Sequence, residues 1–101
     1  MLRIYDVAVK MVREMGPALV RIETKDRDLA RQMRRAASSV VLNIAEGSGS
    51  TGGTRRERYR NALGSAREVA ACIDVARAWR YAEVRADGLR EVIGTLVNVT
   101  R

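Results

Sequence analysis

Arginine is the residue type in this sequence that is best suited to binding chemistry, and it is concentrated at two places along the chain. The planar guanidinium group fits phosphate and carboxylate groups, and it loses its hydration more readily than an ammonium group does. We therefore predict that both arginine groups, the first in residues 31–35 and the second in residues 55–60, contact the phosphates of a nucleic acid. The seven arginines concerned are Arg31, Arg34, Arg35, Arg55, Arg56, Arg58 and Arg60.

The whole chain shares this surplus of positive charge. Its 101 residues include 19 basic and 12 acidic side chains, so the formal net charge is +7, and 17 of the basic residues are arginine. A basic surface attracts polyanions. The same composition would also arise from a merely solvated surface encoded by arginine-rich codons, so both interpretations stay open.

A glycine-rich stretch precedes the second arginine group. Residues 47–52 match the pattern G-x-G-x-x-G, and residues 47–54 differ by one residue from a Walker A loop, with Gly53 in place of the lysine. Both phosphate-binding motifs need a strand before the loop, and here a helix is predicted there. We interpret 47–54 as a flexible connector. The arginines that follow it would still lie at a helix N-terminus, whose free amide groups favour anions.

The side chains of most catalytic and metal sites are missing. The chain has no histidine and one cysteine, so imidazole catalysis, most zinc sites and an internal disulfide are excluded. We expect no catalytic residue, no metal site, no cofactor and no small-molecule substrate. Cys72 is expected to be an inert, packed thiol. The carboxylates of a possible di-metal site are expected to pair with arginines instead; they are Glu14, Glu46, Glu68 and Asp74.

Length and hydropathy predict one domain, residues 1–101, in a soluble cytoplasmic protein. Domains commonly contain about 100–150 residues. No apolar run approaches the roughly 18 residues of a membrane span, and no signal-like segment follows Met1. With no phenylalanine, one tryptophan and three tyrosines, the core must consist largely of aliphatic side chains.

Apolar residues recur every three or four positions, which predicts helices. The first helix is expected from Leu2 to Ile22, with a kink or break at Gly16-Pro17 because proline removes a backbone donor. Glu23–Asp26 is the predicted connection. The second helix is expected from about Asp26 to Glu46, and Gly47 is expected to close it in a left-handed conformation.

The third helix is predicted to begin at a capping box. In this motif the Thr54 hydroxyl and the Glu57 carboxylate would satisfy free backbone donors at the helix start. The helix is then expected from about Arg55 to Arg80 and is followed by a short turn at Tyr81-Ala82. Tyr59 could stack on a nucleic-acid base, but its spacing favours a core or interface position.

The fourth helix is predicted from about Glu83 to Val99. Gly88 and Gly94 are each expected to weaken it by about 1 kcal/mol relative to alanine. Short connections between long helices imply that neighbours are antiparallel. The sequence therefore predicts an all-α fold, an antiparallel up-down-up-down four-helix bundle.

Two stretches of the chain resemble a known bacterial family. Gln32–Gly47 reads Gln-Met-Arg-Arg-Ala-Ala-Ser-Ser-Val-Val-Leu-Asn-Ile-Ala-Glu-Gly, and Ala62–Glu68 and the Tyr81 turn continue the likeness. They resemble the four-helix-bundle proteins encoded in ribosomal-RNA intervening sequences, a group similar to the accessory variability determinants of diversity-generating retroelements. The family usually has proline where this chain has Val41, and its fourth helix usually extends further.

The resemblance implies more than a fold. It implies assembly into a homopentameric ring with basic surfaces and, in the retroelement members, binding to a reverse transcriptase and to nucleic acid. Asn43, Glu46 and Gly47 belong to the family motif, and the polar side chains among them are expected to make structural hydrogen bonds, because unpaired buried polar atoms cost about 1–3 kcal/mol.

Two hypotheses for function follow. The leading hypothesis is an oligomeric basic scaffold that binds RNA or DNA through phosphate contacts, as an accessory to a reverse transcriptase or another nucleic-acid enzyme. The alternative is a protein–protein adaptor whose arginines mainly form salt bridges between subunits.

Overall fold

The computed structural model describes residues 3–101, and within that range the chain forms four α-helices and no strand. The bundle measures 43 × 19 × 18 Å. Each helix packs against the next one along the chain, and α4 also packs against α1, so the bundle is closed. The predicted all-α four-helix bundle is confirmed. The helices are α1 (Arg3–Lys25), α2 (Arg27–Ser48), α3 (Gly52–Ala78) and α4 (Leu89–Val99).

The core is built almost entirely from aliphatic side chains. Among the described residues, no charged or polar side chain is buried, and the largest fully buried side chains include Met11, Met15 and Met33. Unbranched methionines fill irregular gaps between helices where phenylalanine would be too rigid. Four apolar residues at the edge of the core are only partly buried: Val12, Ala70, Leu89 and Ile93.

Helix α1 passes through Pro17 without ending, so the predicted break is wrong. Proline inside a helix costs about 3 kcal/mol or more. Here Met15 and Leu19, on either side of it, are buried in one continuous stripe, whereas Pro17 itself faces solvent. The packing of α1 on both sides of the proline therefore outweighs the local cost.

The connection between α1 and α2 is a single residue, Asp26, and is shorter than predicted. The Asp26 backbone is extended, with φ of −156°, and its carboxylate accepts a hydrogen bond of 3.0 Å from the Leu29 amide. The Asp26 amide donates in turn to the Ile22 carbonyl at 2.7 Å. One side chain thus caps the start of α2 while its backbone continues the hydrogen bonding of α1.

Gly47 was predicted to close α2 in a left-handed conformation, and this prediction is wrong. The helix continues to Ser48, and Gly47 is a buried helical residue in it. A Cβ atom at this position would lie 2.5 Å from Cε1 of Tyr59 on α3. Glycine is therefore required here because α3 approaches α2 closely.

The connection between α2 and α3 is also shorter than predicted, since only residues 49–51 are non-helical. Helix α3 begins at Gly52, whose φ of +59° lies in the left-handed region that glycine tolerates. Thr51 occupies the cap position and makes no side-chain capping bond. The predicted capping box is wrong, because Thr54 and Glu57 already lie inside the helix.

Helix α4 is shorter than predicted. Residues 79–88 form an irregular segment anchored by Val84, which is 5 % exposed. Gly88 lies at the N-cap of α4, where a Cβ atom would be 2.6 Å from Cγ1 and 3.2 Å from the carbonyl oxygen of Val7. Gly88 therefore does not weaken the interior of the helix, and it allows α4 to begin against α1.

Gly94 is an exposed glycine inside α4, and we predict that Gly94→Ala stabilises the protein. Nothing lies within 4 Å of the added Cβ atom, and alanine loses less backbone entropy on folding. Urea denaturation should show a gain of about 0.5–1 kcal/mol. The control Gly88→Ala should instead lose stability through its contacts with Val7. Equal shifts of the two variants would contradict the assignment.

Candidate nucleic-acid interface

The structure places the two predicted arginine groups on the surface but does not bring them together. All seven side chains are exposed. The first group lies on the N-terminal half of α2, and the second lies at the start of α3, beside the C-terminal end of α2. With a rise of about 1.5 Å per residue, Arg35 and Ser48 are separated by roughly 20 Å along α2. The two groups therefore form separate surfaces.

The first group is partly neutralised. Arg31 pairs with Asp28 one turn earlier on α2, and Arg34 pairs with Glu23 of α1 at 2.7 Å. Arg35 is exposed and has no carboxylate within 4 Å in residues 3–101. Exposed ion pairs are weak, typically worth about 0–1 kcal/mol, so a polyanion could displace them.

The second group is held mainly by backbone oxygens. Arg58 pairs with Glu46 at 3.0 Å, and Arg55 donates to the Ser50 carbonyl at 2.9 Å. Arg56 donates to the carbonyl oxygen of Arg101. The bond from Arg55 leaves the charge of its guanidinium group uncompensated, since a peptide carbonyl carries no net charge.

A large positive surplus remains after pairing. Six of the 19 basic residues make an ion pair within 4 Å to a carboxylate of the described chain, which leaves 13 that do not. The unpaired residues are Lys10, Arg13, Arg21, Lys25, Arg27, Arg35, Arg55, Arg56, Arg60, Arg67, Arg80, Arg90 and Arg101.

Of the four carboxylates that were expected to pair with arginine, two do so and two do not. Glu46 pairs with Arg58, and Glu14 lies 3.4 Å from Arg85. The Glu14 side chain is 11 % exposed, and its second oxygen has no hydrogen-bond partner among residues 3–101. Glu68 and Asp74 make no ion pair in the same range, so for them the expectation is wrong.

Tertiary structure brings residues 77–83 next to the first arginine group, and the sequence analysis did not predict this. The Tyr81 hydroxyl donates to the Asp26 carboxylate at 3.3 Å, and Arg21 donates to the Glu83 carbonyl at 3.4 Å. These contacts join residues 77–83 to the turn between α1 and α2. We call segments 21–35 and 77–83 the aromatic end. It contains eight basic and four acidic residues, a net charge of +4.

Two aromatic side chains lie at this end. The rings of Trp79 and Tyr81 are stacked, with centroids 6.4 Å apart and planes 19° from parallel. Trp79 is 68 % exposed. Tyr81 is partly buried, and burial, followed by the charge and hydrogen bond of Asp26, raises the pKa of its hydroxyl. Tyr81 thus remains a protonated donor that holds the pair against α2. The feature of the sequence that could have indicated this aromatic pair is a single tryptophan two residues before a tyrosine.

The residue between the two rings sets their arrangement. Arg80 has a φ of 61°, the left-handed conformation in which glycine usually ends a helix. The Tyr81 amide donates to the Ala76 carbonyl and the Arg80 amide donates to the Arg77 carbonyl, both at 2.9 Å. This pair of bonds is a Schellman motif, and it reverses the chain so that Tyr81 folds back beside Trp79.

The residues of the family motif lie between α2 and α3. The Asn43 amide donates to the carbonyl and hydroxyl oxygens of Ser39 at 2.9 and 3.0 Å, and Ser65 of α3 donates to the same hydroxyl at 2.8 Å. Tyr59, at 4 % exposure, packs against Gly47 and is too buried to stack on a base. The Ser39–Ser65 bond and the contact of Tyr59 with Gly47 hold α2 against α3.

Other candidate chemistry is limited in the part of the chain that the structure describes. Cys72 is buried, and desolvation, followed by the charge of Glu68, raises the pKa of its thiol. No three acidic, cysteine or histidine side chains in residues 3–101 cluster as metal ligands. No helix in that range combines the length and apolar character that a bilayer crossing requires.

Comparison with known proteins agrees with the helical pattern and the motif. The family model described as 23S rRNA-intervening sequence protein matches residues 1–99. The search of curated proteins and the search of solved structures each found no match. The match spans all four helices and includes both stretches that carried the resemblance, Gln32–Gly47 and Ala62–Glu68. The chain therefore belongs to the 23S rRNA-intervening sequence protein family.

Proposed function

We propose that the protein is a non-catalytic, homo-oligomeric scaffold of the cytoplasm that binds nucleic acid through phosphate contacts. Such contacts carry no sequence information, so one surface serves many RNA or DNA sequences. In this role the protein would assist an RNA- or DNA-processing enzyme, for which a reverse transcriptase is the candidate that the retroelement resemblance suggests.

The observation that carries the proposal is the unpaired charge. Thirteen basic side chains without an ion-pair partner in residues 3–101 leave a positive surface, and they are spread over all four helices. Guanidinium groups release the counterions condensed on nucleic acid when they contact phosphates, and that release supplies most of non-specific affinity.

Exposed apolar side chains support the homo-oligomeric part of the proposal. Val20 of α1 is 62 % exposed and Leu42 of α2 is 60 % exposed. A second copy would cover them and gain about 25 cal/mol per Å² of buried apolar area. Light scattering on the purified protein tests this part, and the resemblance predicts a pentamer.

Binding is tested by fluorescence anisotropy on labelled RNA and DNA, each in two unrelated sequences, at about 50 to 200 mM salt. We expect similar affinity for both sequences and a steep fall with salt, with a logarithmic slope of about −0.9 per phosphate contacted on a duplex. Absence of binding at low salt, or affinity that does not change with salt, would refute the proposal.

A protein–protein adaptor is the second candidate. It is favoured by exposed carboxylates that make no ion pair among the described residues, which would be free to bind arginines of another copy; they are Asp6, Glu57, Glu68 and Asp74. In that case subunit interfaces would largely neutralise the arginine groups in the assembled protein.

A further inference from the structure

The most exposed large apolar side chain among the described residues is Trp79. Burial of a side chain of this size stabilises a protein, yet Trp79 lies at the surface with 68 % of its area exposed. Within residues 3–101 its one aromatic neighbour is Tyr81, which the Asp26 carboxylate holds in place. The ring is therefore both exposed and pre-organised.

Arginine is not the residue type that would make the helix end at position 80 most stable. Arg80 occupies the left-handed position where glycine avoids the clash of a Cβ atom. Glycine at this helix end would avoid that steric cost. Arg80 is exposed and is the sequence neighbour of both aromatic residues.

The charge around the ring is positive and largely unpaired. Arg80 makes no ion pair within residues 3–101, and the same is true of Lys25 and Arg27. The latter two flank Asp26, the residue to which Tyr81 is bonded. These cations therefore lie at the same end of the bundle as the aromatic pair.

We propose that the aromatic end binds single-stranded nucleic acid, with an unpaired base stacked on Trp79 and the neighbouring phosphates bound by Lys25, Arg27 and Arg80. This inference rests on the proposed function and names its substrate class. An exposed aromatic ring together with basic side chains is the combination by which proteins hold single strands, because every base has a π face.

The chemistry favours a single strand over a duplex and over a second copy of the chain. Bases in a duplex are stacked on one another, so none is available to the ring unless the helix is opened, which costs a few kcal/mol. A second copy that docked through the same end would bring a net charge of +4 against the same +4. A strand with one negative charge per nucleotide complements it.

Trp79 is the one tryptophan in the sequence, so its fluorescence reports on this site alone. The first experiment titrates the full chain with a labelled single strand of about ten nucleotides and with an abasic strand of equal length. Anisotropy of the label measures binding, and Trp79 emission measures stacking. We expect both strands to bind and only the strand with bases to quench Trp79.

Each other outcome has a defined meaning. Binding of the strand with bases without quenching overturns the stacking site and leaves the proposed function standing. Failure of both strands to bind at low salt overturns both. Emission that changes with protein concentration before any strand is added means that a second copy covers Trp79, which also overturns this inference.

Variants give an independent test. Trp79→Ala should weaken single-strand affinity by about 5- to 150-fold, the range for one base–aromatic stack, and should leave duplex affinity unchanged. The control Val75→Ala removes another exposed apolar side chain one turn earlier on α3 and should leave both affinities unchanged.

A second variant tests the cation. Arg80→Gly should raise the thermal midpoint of unfolding and weaken single-strand binding. Equal loss for single strand and duplex in Trp79→Ala would overturn the site.

Discussion

Gly47→Ala should lower the free energy of unfolding by about 2–3 kcal/mol, the upper part of the range for overpacking a core. The added Cβ atom would lie 2.5 and 2.6 Å from two ring atoms of Tyr59, whose side chain is itself buried. The ring has no room to retreat, so α2 and α3 must separate. Urea denaturation followed by circular dichroism measures the loss.

Two further variants separate the collision from any general effect of the substitution. Gly64→Ala places the same atom in α3 with nothing within 4 Å, and it should leave stability equal or slightly higher. In the double variant Gly47→Ala/Tyr59→Leu the smaller side chain makes room, so the cost of Gly47→Ala should shrink. Additive losses in this double-mutant cycle would show that the Tyr59 ring is not the cause.

The charge-reversed variant Arg27→Glu/Arg35→Glu should weaken nucleic-acid binding by about 100-fold and lower the salt slope by about two, because two phosphate contacts become repulsive. Both arginines are exposed and without ion pairs in the described chain, so little native structure is lost. Anisotropy titrations at several salt concentrations give both quantities.

The matched control is Lys10→Glu/Arg13→Glu on α1, which changes the net charge by the same amount at exposed residues that are also unpaired. It should weaken binding far less. An equal loss would show that only the overall charge of the protein matters and that the aromatic end is no binding surface.

The adaptor alternative makes the opposite prediction for the same region. If the arginines bind carboxylates across subunit interfaces, reversing Arg34 and Arg35 should disperse the assembly before polyanion binding changes. Light scattering and anisotropy on one preparation therefore distinguish the two functions.

The periodicity of apolar residues was sufficient to predict the fold. Steps of three and four placed Met11, Met15 and Met33 on buried stripes, and these residues form the centre of the bundle. The start of α2 at about Asp26 was likewise predicted, and the Asp26 side chain that caps it acts within three residues of its own position. Interactions of this range are encoded locally.

The helix ends and the glycines could not be predicted in the same way. Pro17 and Gly47 were interpreted from their intrinsic preferences, and both lie inside helices because packing against other helices outweighs those preferences. Thr54 and Glu57 have the spacing of a capping box, yet α3 starts before them. The ends of α3 and α4 depend on contacts with residues far away in sequence, such as Val7 against Gly88.

The sequence by itself determined the helical class, the aliphatic core, the surplus of arginine and the family, because each follows from residue type and local spacing. Tertiary structure alone decided which charges remain unpaired and which of them gather beside Trp79. That grouping joins Asp26 to Tyr81, 55 positions apart, through a hydrogen bond that exists only once α3 has folded back along α2. Long-range contacts of this kind leave no periodic pattern in the sequence.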